Sequence, residues 1–364
     1  MEITVLVPAH NEELTIGATL ESLLAQTRLP DKVVVIANGC TDRTVEVAKE
    51  YPVIVMDLPR LEHRKSEAMN RGWNLHGRDS DLVVSMDADT VLPPNAIADW
   101  EQESWHRLFG GSTSKFTIAQ SGFLCRLQKY EYAYNIQQGL DQGWTSVLAG
   151  AGSAFNGVAL REIAGRGDRE GPWSYESAVE DFELTYRIRE LRYHAYVSPT
   201  VRAYTDGMKT VKALWGQRIK WQAGTLQDLL RFGLNRLTLR AWIDQILNLT
   251  GPVIRVLWIV VVALALYLDA LVFVWWGFFV PVLFMAVNLK NAIRVPHRDK
   301  WDLLMAVAII PTEFLAVVRG GWIVASWMEI LRKTITHKDR DLWAAQYRAE
   351  GVKQIERSES VLPH

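Results

Sequence analysis

Two carboxylates one residue apart, Asp87 and Asp89 in Ser85-Met86-Asp87-Ala88-Asp89-Thr90, follow the apolar run Leu82-Val83-Val84. The run reads as a buried strand, so the pair is predicted where strand gives way to loop. In open parallel sheets that is where ligands bind. Carboxylates in such a place hold a hard divalent cation through oxygen, and a cation held by only one or two of them keeps positions open for phosphate oxygens. The implied ligand is a diphosphate. Asp-x-Asp is also a common turn or capping tripeptide, so its meaning depends on what surrounds it.

Several other stretches carry residue types suited to the same chemistry. Glu180 and Asp181 open the helical stretch Val179-Glu180-Asp181-Phe182-Glu183-Leu184. Acids in a first turn are stabilised by the macrodipole with or without a chemical role, so capping and catalysis are both open readings. Lys65 begins another helical stretch, where a cation and a helix N-terminus can face phosphate together; a solvated lysine is the plain alternative. The loops Pro8-Ala9-His10-Asn11-Glu12 and Ala37-Asn38-Gly39-Cys40-Thr41-Asp42 leave strands on the same predicted sheet edge, and their polar side chains could read a base and ribose. Thr41-Asp42 equally suits a helix N-cap. Leu148-Ala149-Gly150-Ala151-Gly152-Ser153 is a glycine-rich turn where backbone can approach a ligand closely. Its spacing matches neither a P-loop nor a dinucleotide fingerprint. In Gln217-Arg218-Ile219-Lys220-Trp221, Gln217, Arg218 and Trp221 share one side of a helical turn. Arginine can neutralise a departing phosphate, and indole can stack on a sugar ring.

The elements that must position these groups alternate. Ile3 to Val7, Lys32 to Ala37, Val53 to Met56 and Leu82 to Met86 read as strands buried on both faces. Stretches of helical spacing lie between them, through Leu14, Ala18, Leu20, Leu23 and Leu24, then Val45 and Ala48, then Ala68, Met69 and Trp73. This order predicts an α/β domain with a parallel sheet and helices on both sides. The chain has 364 residues, enough for more than one folding unit, and its formal net charge of -1 gives no support for a nucleic-acid partner. Two cysteines, Cys40 and Cys125, make neither a disulfide framework nor a metal cluster. The N-terminal residues enter a strand directly, so no cleavable leader is expected.

The apolar residues are unevenly spread. Residues 1–206 read as a soluble catalytic domain and residues 207–245 as amphipathic helices on an anionic membrane face, with Lys209, Lys212, Arg218, Lys220, Arg231, Arg236 and Arg240 interleaved with leucine and tryptophan. Residues 246–291 are long enough for a transmembrane hairpin turning near Asp269. Basic residues flank both ends, which places them and the catalytic domain in the cytosol by the positive-inside rule. Residues 292–338 hold a basic loop and an apolar stretch interrupted by Pro311, Glu313, Arg319 and Gly320-Gly321, expected to be interfacial or re-entrant, with a third span as the alternative. Residues 339–364 read as a polar tail.

Taken in order, these motifs resemble family 2 glycosyltransferases of the membrane-attached inverting type, which includes cellulose, chitin and hyaluronan synthases and lipid glucosyltransferases. Val7-Pro8-Ala9-His10-Asn11-Glu12 is similar to the family's opening loop, Asn38 to Asp42 to its base-binding loop, Lys65 to Asn70 to its lysine and asparagine segment, and Asp87-Ala88-Asp89 to its metal motif. Glu180-Asp181 resembles its catalytic acid pair, and Gln217 to Trp221 its Gln-x-x-Arg-Trp signature with lysine at the usual arginine. The resemblance implies a GT-A nucleotide-diphospho-sugar transferase domain using Mg2+ or Mn2+. It also implies a nucleotide-sugar donor, expected to be a UDP-sugar, and a membrane-proximal acceptor hydroxyl on a lipid, glycan or protein. By the same resemblance Asp181 is the base with Glu180 beside it, and Asp89 binds the metal with Asp87. Pro8, Ala9, Asn11, Glu12, Asn38, Lys65, Asp87 and Arg218 meet the donor, while Trp221, Gln217, Gly152 and Ser153 meet the acceptor. Two features depart from the family pattern: Ala37-Asn38 stands where two aspartates are common, and Ala154-Phe155-Asn156-Gly157 lacks the arginines often found there. Non-processive transfer at a multi-pass membrane protein is the expectation. The alternatives are a short polysaccharide synthase acting as a homo-oligomer and a non-catalytic glycan-binding protein.

Overall fold

The structure is a computed structural model that describes residues 1–167, 169–269, 279–296, 298–337 and 341–350. The chain divides into two compact units. The first holds residues 1–121 and 135–207; the second holds 122–134 and 208–350.

The first unit is built on a seven-stranded sheet of order β3-β2-β1-β4-β6-β5-β7. Its strands are β1 (Ile3–Ala9), β2 (Lys32–Asn38), β3 (Ile54–Leu58), β4 (Leu82–Ser85), β5 (Phe109–Ile118), β6 (Ser153–Asn156) and β7 (His194–Thr205). The helices α1 (Ile16–Leu24), α2 (Thr44–Lys49), α3 (Arg64–Gly72) and α4 (Ala96–Ser104) precede α5 (Phe123–Gln142), α6 (Gly157–Ala164) and α7 (Glu180–Glu190). Successive strand side chains point to opposite faces, and here they build two cores. Ile3, Val5 and Val7 of β1 pack with Val33, Val35, Leu82 and Val84 against Ile16, Leu20, Leu23 and Trp100. Leu6 packs with Val34, Ile36 and Val83 on the other face, against Met69, Trp73, Leu160 and Leu184. The runs of β1, β2 and β4 therefore reflect a sheet covered on both sides, whereas β3, expected to be buried on both faces as well, is the edge strand and only partly buried, with Ile54 exposed.

The expectation of a parallel sheet holds for β1 with β2, β1 with β4 and β2 with β3. It needs correction further along, where β6 runs antiparallel to β4 and to β5, making the sheet mixed. β5, which runs parallel to β7, carries no apolar run at its start. Phe109-Gly110-Gly111-Ser112-Thr113-Ser114 is strand because its neighbours bury it: Phe109, Ser112 and Ser114 are fully covered. Propensity alone gives no such signal.

In the second unit, residues 123–134 of α5 join α8 (Val211–Phe232), α9 (Leu239–Tyr267), α10 (Phe279–Ile293), α11 (Lys300–Val307), α12 (Ile309–Thr336) and α13 (Leu342–Ala349). Only part of the 207–245 segment faces outward. Arg218 and Lys220 are buried, Arg218 paired with Glu131 at 2.8 Å and the Lys220 ammonium 3.2 Å from the Trp343 ring centroid. α9 ends at Tyr267 and Asp269 takes a left-handed φ of 49°. The hairpin turn expected near Asp269 runs into residues 270–278, which lie outside the described residues.

α12 is one continuous helix. Pro311 sits in its first turn, where a missing N–H costs no hydrogen bond. Gly320 and Gly321 do not interrupt it and serve close approach instead. A Cβ at Gly320 would lie 3.2 Å from Pro252 of α9, and one at Gly321 would lie 2.9 Å from the Trp215 ring of α8. Among the described residues, Phe314–Thr336 is the one helical stretch long and apolar enough to cross a membrane. Along α9, Ile246, Val253, Ile254, Leu257, Val261 and Leu264 are also exposed.

Candidate active site

Lys65, in the first turn of α3, brings two distant parts of the first unit together. Its Nζ lies 2.8 Å from Asp87 Oδ1, just past the end of β4, and 3.3 Å from Glu180 Oε1, the first residue of α7. Gly150 links the same groups through its backbone. Its carbonyl accepts the Asp87 N–H at 2.8 Å, and its own N–H donates to Asp181 Oδ2 at 2.8 Å. No side chain fits at position 150: a Cβ there would lie 2.7 Å from Lys65 Nζ and 2.8 Å from Asp87 Oδ2. Asp89 turns toward the end of β7, with Oδ1 accepting from Thr205 Oγ1 at 3.2 Å.

Burial and neighbouring charge set the proton affinities here. Burial pushes the Asp181 carboxyl up to about 7; the Lys65 ammonium pulls it down, and the Glu180 and Asp87 carboxylates push it further up. For Lys65, burial acts to lower the pKa, but Asp87, Asp181 and Glu180 outweigh it and hold the ammonium well above the ordinary lysine value. The cluster thus contains a firmly charged cation and a carboxyl poised near neutrality, the proton affinity that suits a general base.

The stretch leading into α7 is clamped to α3. Asn70 of α3 donates to the Trp173 carbonyl at 2.8 Å and accepts the Trp173 N–H at 3.0 Å. The His63 and Tyr175 rings stack at 4.5 Å, and Arg169 pairs with Glu183 of α7 at 2.9 Å. These contacts fix the distance between Lys65 and the two acids.

The two loops beyond β1 and β2 are bound to each other. Asn11 Oδ1 accepts the Thr41 N–H at 2.7 Å, His10 Nδ1 lies 2.7 Å from the Asn38 carbonyl, and the Glu12 N–H donates to Thr44 Oγ1 at 2.7 Å. Pro8 and Ala9 are the last residues of β1, paired with Ile36 and Ala37. Asn38 is buried and accepts the Leu61 N–H at 2.9 Å. The N-cap of α2 is Arg43, whose side chain makes no cap hydrogen bond, so Thr41-Asp42 is not the expected cap; Asp42, one residue earlier, accepts the Thr44 N–H at 3.0 Å in a local turn.

Ser153, expected at the acceptor, is fully buried at the start of β6, and its hydroxyl donates to the Ala149 carbonyl at 2.7 Å. Gly152 lies beside it and accepts the Ser114 N–H at 2.9 Å. Within the glycine-rich turn it is Gly150 that touches the acidic cluster, and two glycines spaced by one residue do not say which does so. Gln217, Arg218 and Trp221 form a cluster within the second unit. There the Arg218 guanidinium lies 4.5 Å from the Trp221 ring and 5.4 Å from the Tyr132 ring, and donates to Gln217 Oε1 at 3.1 Å.

Among the described residues, no three His, Cys, Asp or Glu side chains converge as a metal cage. The donor set available at the strand end is Asp87 and Asp89, two hard carboxylates. That set fits a divalent cation completed by the oxygens of a bound phosphate, the usual arrangement for Mg2+.

The model for glycosyl transferase family 2 matches residues 4–100, and the one for glycosyl transferase family group 2 matches residues 82–288, more than half of the chain. The protein belongs to the family 2 glycosyltransferases, a family of enzymes. It is 26% identical to the poly-β-1,6-N-acetyl-D-glucosamine synthase of Staphylococcus epidermidis over 63% of this chain and 56% of that one. The synthase of the same name from Staphylococcus aureus is 27% identical over 72% of this chain and 64% of that one. A probable glycosyltransferase of Bacillus subtilis is 24% identical over 64% and 57%. The chain thus spans little more than half the length of these relatives. Among solved structures, a mannosyltransferase from Pyrobaculum calidifontis in complex with GDP-Man and Mn2+ aligns over 98% of this chain and 88% of that one, with a TM-score of 0.48 at 18% identity.

Proposed function

We propose that this protein is an inverting, metal-dependent transferase of GT-A fold that moves one sugar from a nucleotide-diphosphate donor, a UDP-sugar, to a hydroxyl held near the cytosolic membrane face. The observation that carries the proposal is the meeting of Asp87, Glu180 and Asp181 on Lys65 and Gly150 at the end of the parallel strands.

An alcohol is a poor nucleophile near neutral pH, and a positioned carboxylate that takes its proton contributes about 100- to 10,000-fold. Asp181 is that base, its carboxylate oriented by the Gly150 N–H. Attack on the anomeric carbon opposite the leaving group inverts the centre. Negative charge then gathers on the departing diphosphate, where groups fixed in advance stabilise it most effectively. Lys65 supplies one such charge from the chain itself. Asp87 and Asp89 would hold Mg2+ or Mn2+, which supplies Lewis-acid stabilisation of the same oxygens when bound. The loops at Pro8, Ala9, Asn11, Glu12 and Asn38 bind the nucleoside. The apolar stretch Phe314–Thr336 and the outward leucines and valines of α9 support attachment to a bilayer.

Incubating the detergent-purified protein with a panel of nucleotide sugars and Mn2+, and measuring which nucleoside diphosphate is released, tests this reading. Release from one donor that disappears in Asp181→Asn is the expected result, and no release from any donor in detergent or membranes would sink it. A second reading, a short polysaccharide synthase acting as an oligomer, is favoured by the polymer-forming relatives. A ladder of products from one acceptor selects it; a single addition selects the first.

A further inference from the structure

The second interaction of Lys65 bears on how the site fills, an inference that rests on the reading of Asp87 given above. The Lys65 side chain is 18% exposed and lies between a covered carboxylate, Glu180 at 5%, and a more open one, Asp87 at 39%. The shorter contact, 2.8 Å, is to the open partner. The bare Cα of Gly150 leaves the space through which the ammonium reaches it.

We infer that Lys65 is the resident counter-cation of Asp87 in the free protein and passes to the donor's diphosphate when it arrives, so that divalent cation and diphosphate each strengthen binding of the other. A carboxylate already neutralised at hydrogen-bond distance attracts a second cation weakly, so Asp87 is a poor ligand while Lys65 holds it. A diphosphate offers the ammonium new anionic oxygens. Glu180 keeps the lysine anchored as its end moves, so no backbone change is required. Asp87 is then released to the divalent cation. The coupling is reciprocal by thermodynamic necessity: whatever factor the diphosphate adds to cation affinity, the cation adds to diphosphate affinity.

The test is Mn2+ binding to the full chain in detergent, read from loss of the free-ion EPR signal, with and without UDP, in wild type, Lys65→Met and Lys65→Arg. Lys65→Met is expected to bind Mn2+ alone about 10-fold more tightly than wild type, while its UDP affinity in Mn2+ falls by a comparable factor, within the usual range of site-to-site coupling. Lys65→Arg keeps a cation on Asp87 and is expected to match wild type for Mn2+ alone. General damage to the site weakens both ligands together, so the opposite signs are diagnostic. Lys65→Gln carries the same expectation as the methionine variant and replaces it if that protein does not fold. If wild type takes up Mn2+ with UDP but the neutral variants show no gain for Mn2+ alone, the inference is overturned and the proposed function stands. If wild type takes up no Mn2+ even with UDP, both fall.

Discussion

At Asp181 and Lys65 the same two forces, burial and neighbouring charge, act with opposite outcomes. Burial dominates at the carboxyl and raises it to about 7, whereas three carboxylates dominate at the ammonium and keep it charged. Activity and stability then respond to pH in opposite directions. A base must be ionised to work, so kcat/KM should fall as pH drops through about 7. Stability behaves otherwise, because a carboxyl whose folded pKa exceeds its unfolded value favours the folded state in its protonated form. That contribution is complete below the unfolded value and is lost as pH rises through about 7. Asp181→Asn is accordingly expected to lower transfer by about 100- to 10,000-fold. In thermal melts at pH 8 the same variant should unfold at or above the wild-type temperature. Gly150→Ala tests the slot beside Lys65. Its methyl displaces either the ammonium or Asp87, and turnover should drop by about 100-fold, the cost of a misplacement near 1 Å, with circular dichroism unchanged.

Helices and strands show which contacts hold each unit together. In the second unit Arg126 of α5 bonds Asp299 at 2.5 Å and Asp302 at 2.7 Å, and Asp302 is buried in α11. Tyr130, one turn along α5, donates to the Asp302 carbonyl. Removing the guanidinium leaves a covered carboxylate unpaired, so Arg126→Met should cost about 3 kcal/mol, read from denaturant melts. Gly321→Val pushes β-branched bulk into the Trp215 ring, which overpacks the α8–α12 contact at a cost of about 1–3 kcal/mol. The alternating strands and helices of the first 90 residues were legible because buried parallel strands need unbroken apolar runs. β5 was not, since its serines, threonines and glycines become strand only through their neighbours. Gly320-Gly321 misled for a related reason: glycine weakens an isolated helix but is what a close helix crossing requires.

For the whole molecule, the proposal is that a soluble-type catalytic unit shares its chain with a helical unit that contacts lipid. The protein should sediment with membranes, resist extraction by alkaline carbonate and be released by detergent; release by salt alone would reduce the attachment to surface charge. Membership of the family rests on the residues spanning both units, since the matching models run from residue 4 to residue 288.

The sequence by itself determined the two covered faces of the sheet, the placing of Asp87 beyond a strand and of Lys65 and Glu180-Asp181 at helix starts. These depend on local periodicity and end effects, which neighbouring residues encode. Only the tertiary structure decided that Gly150 joins Asp87 to Asp181, that Ser153 lies inside the sheet, and that Arg218 and Lys220 are claimed by Glu131 and Trp343. Each of those facts is a meeting of segments far apart in the chain, fixed by packing and charge pairing that no short window of residues specifies.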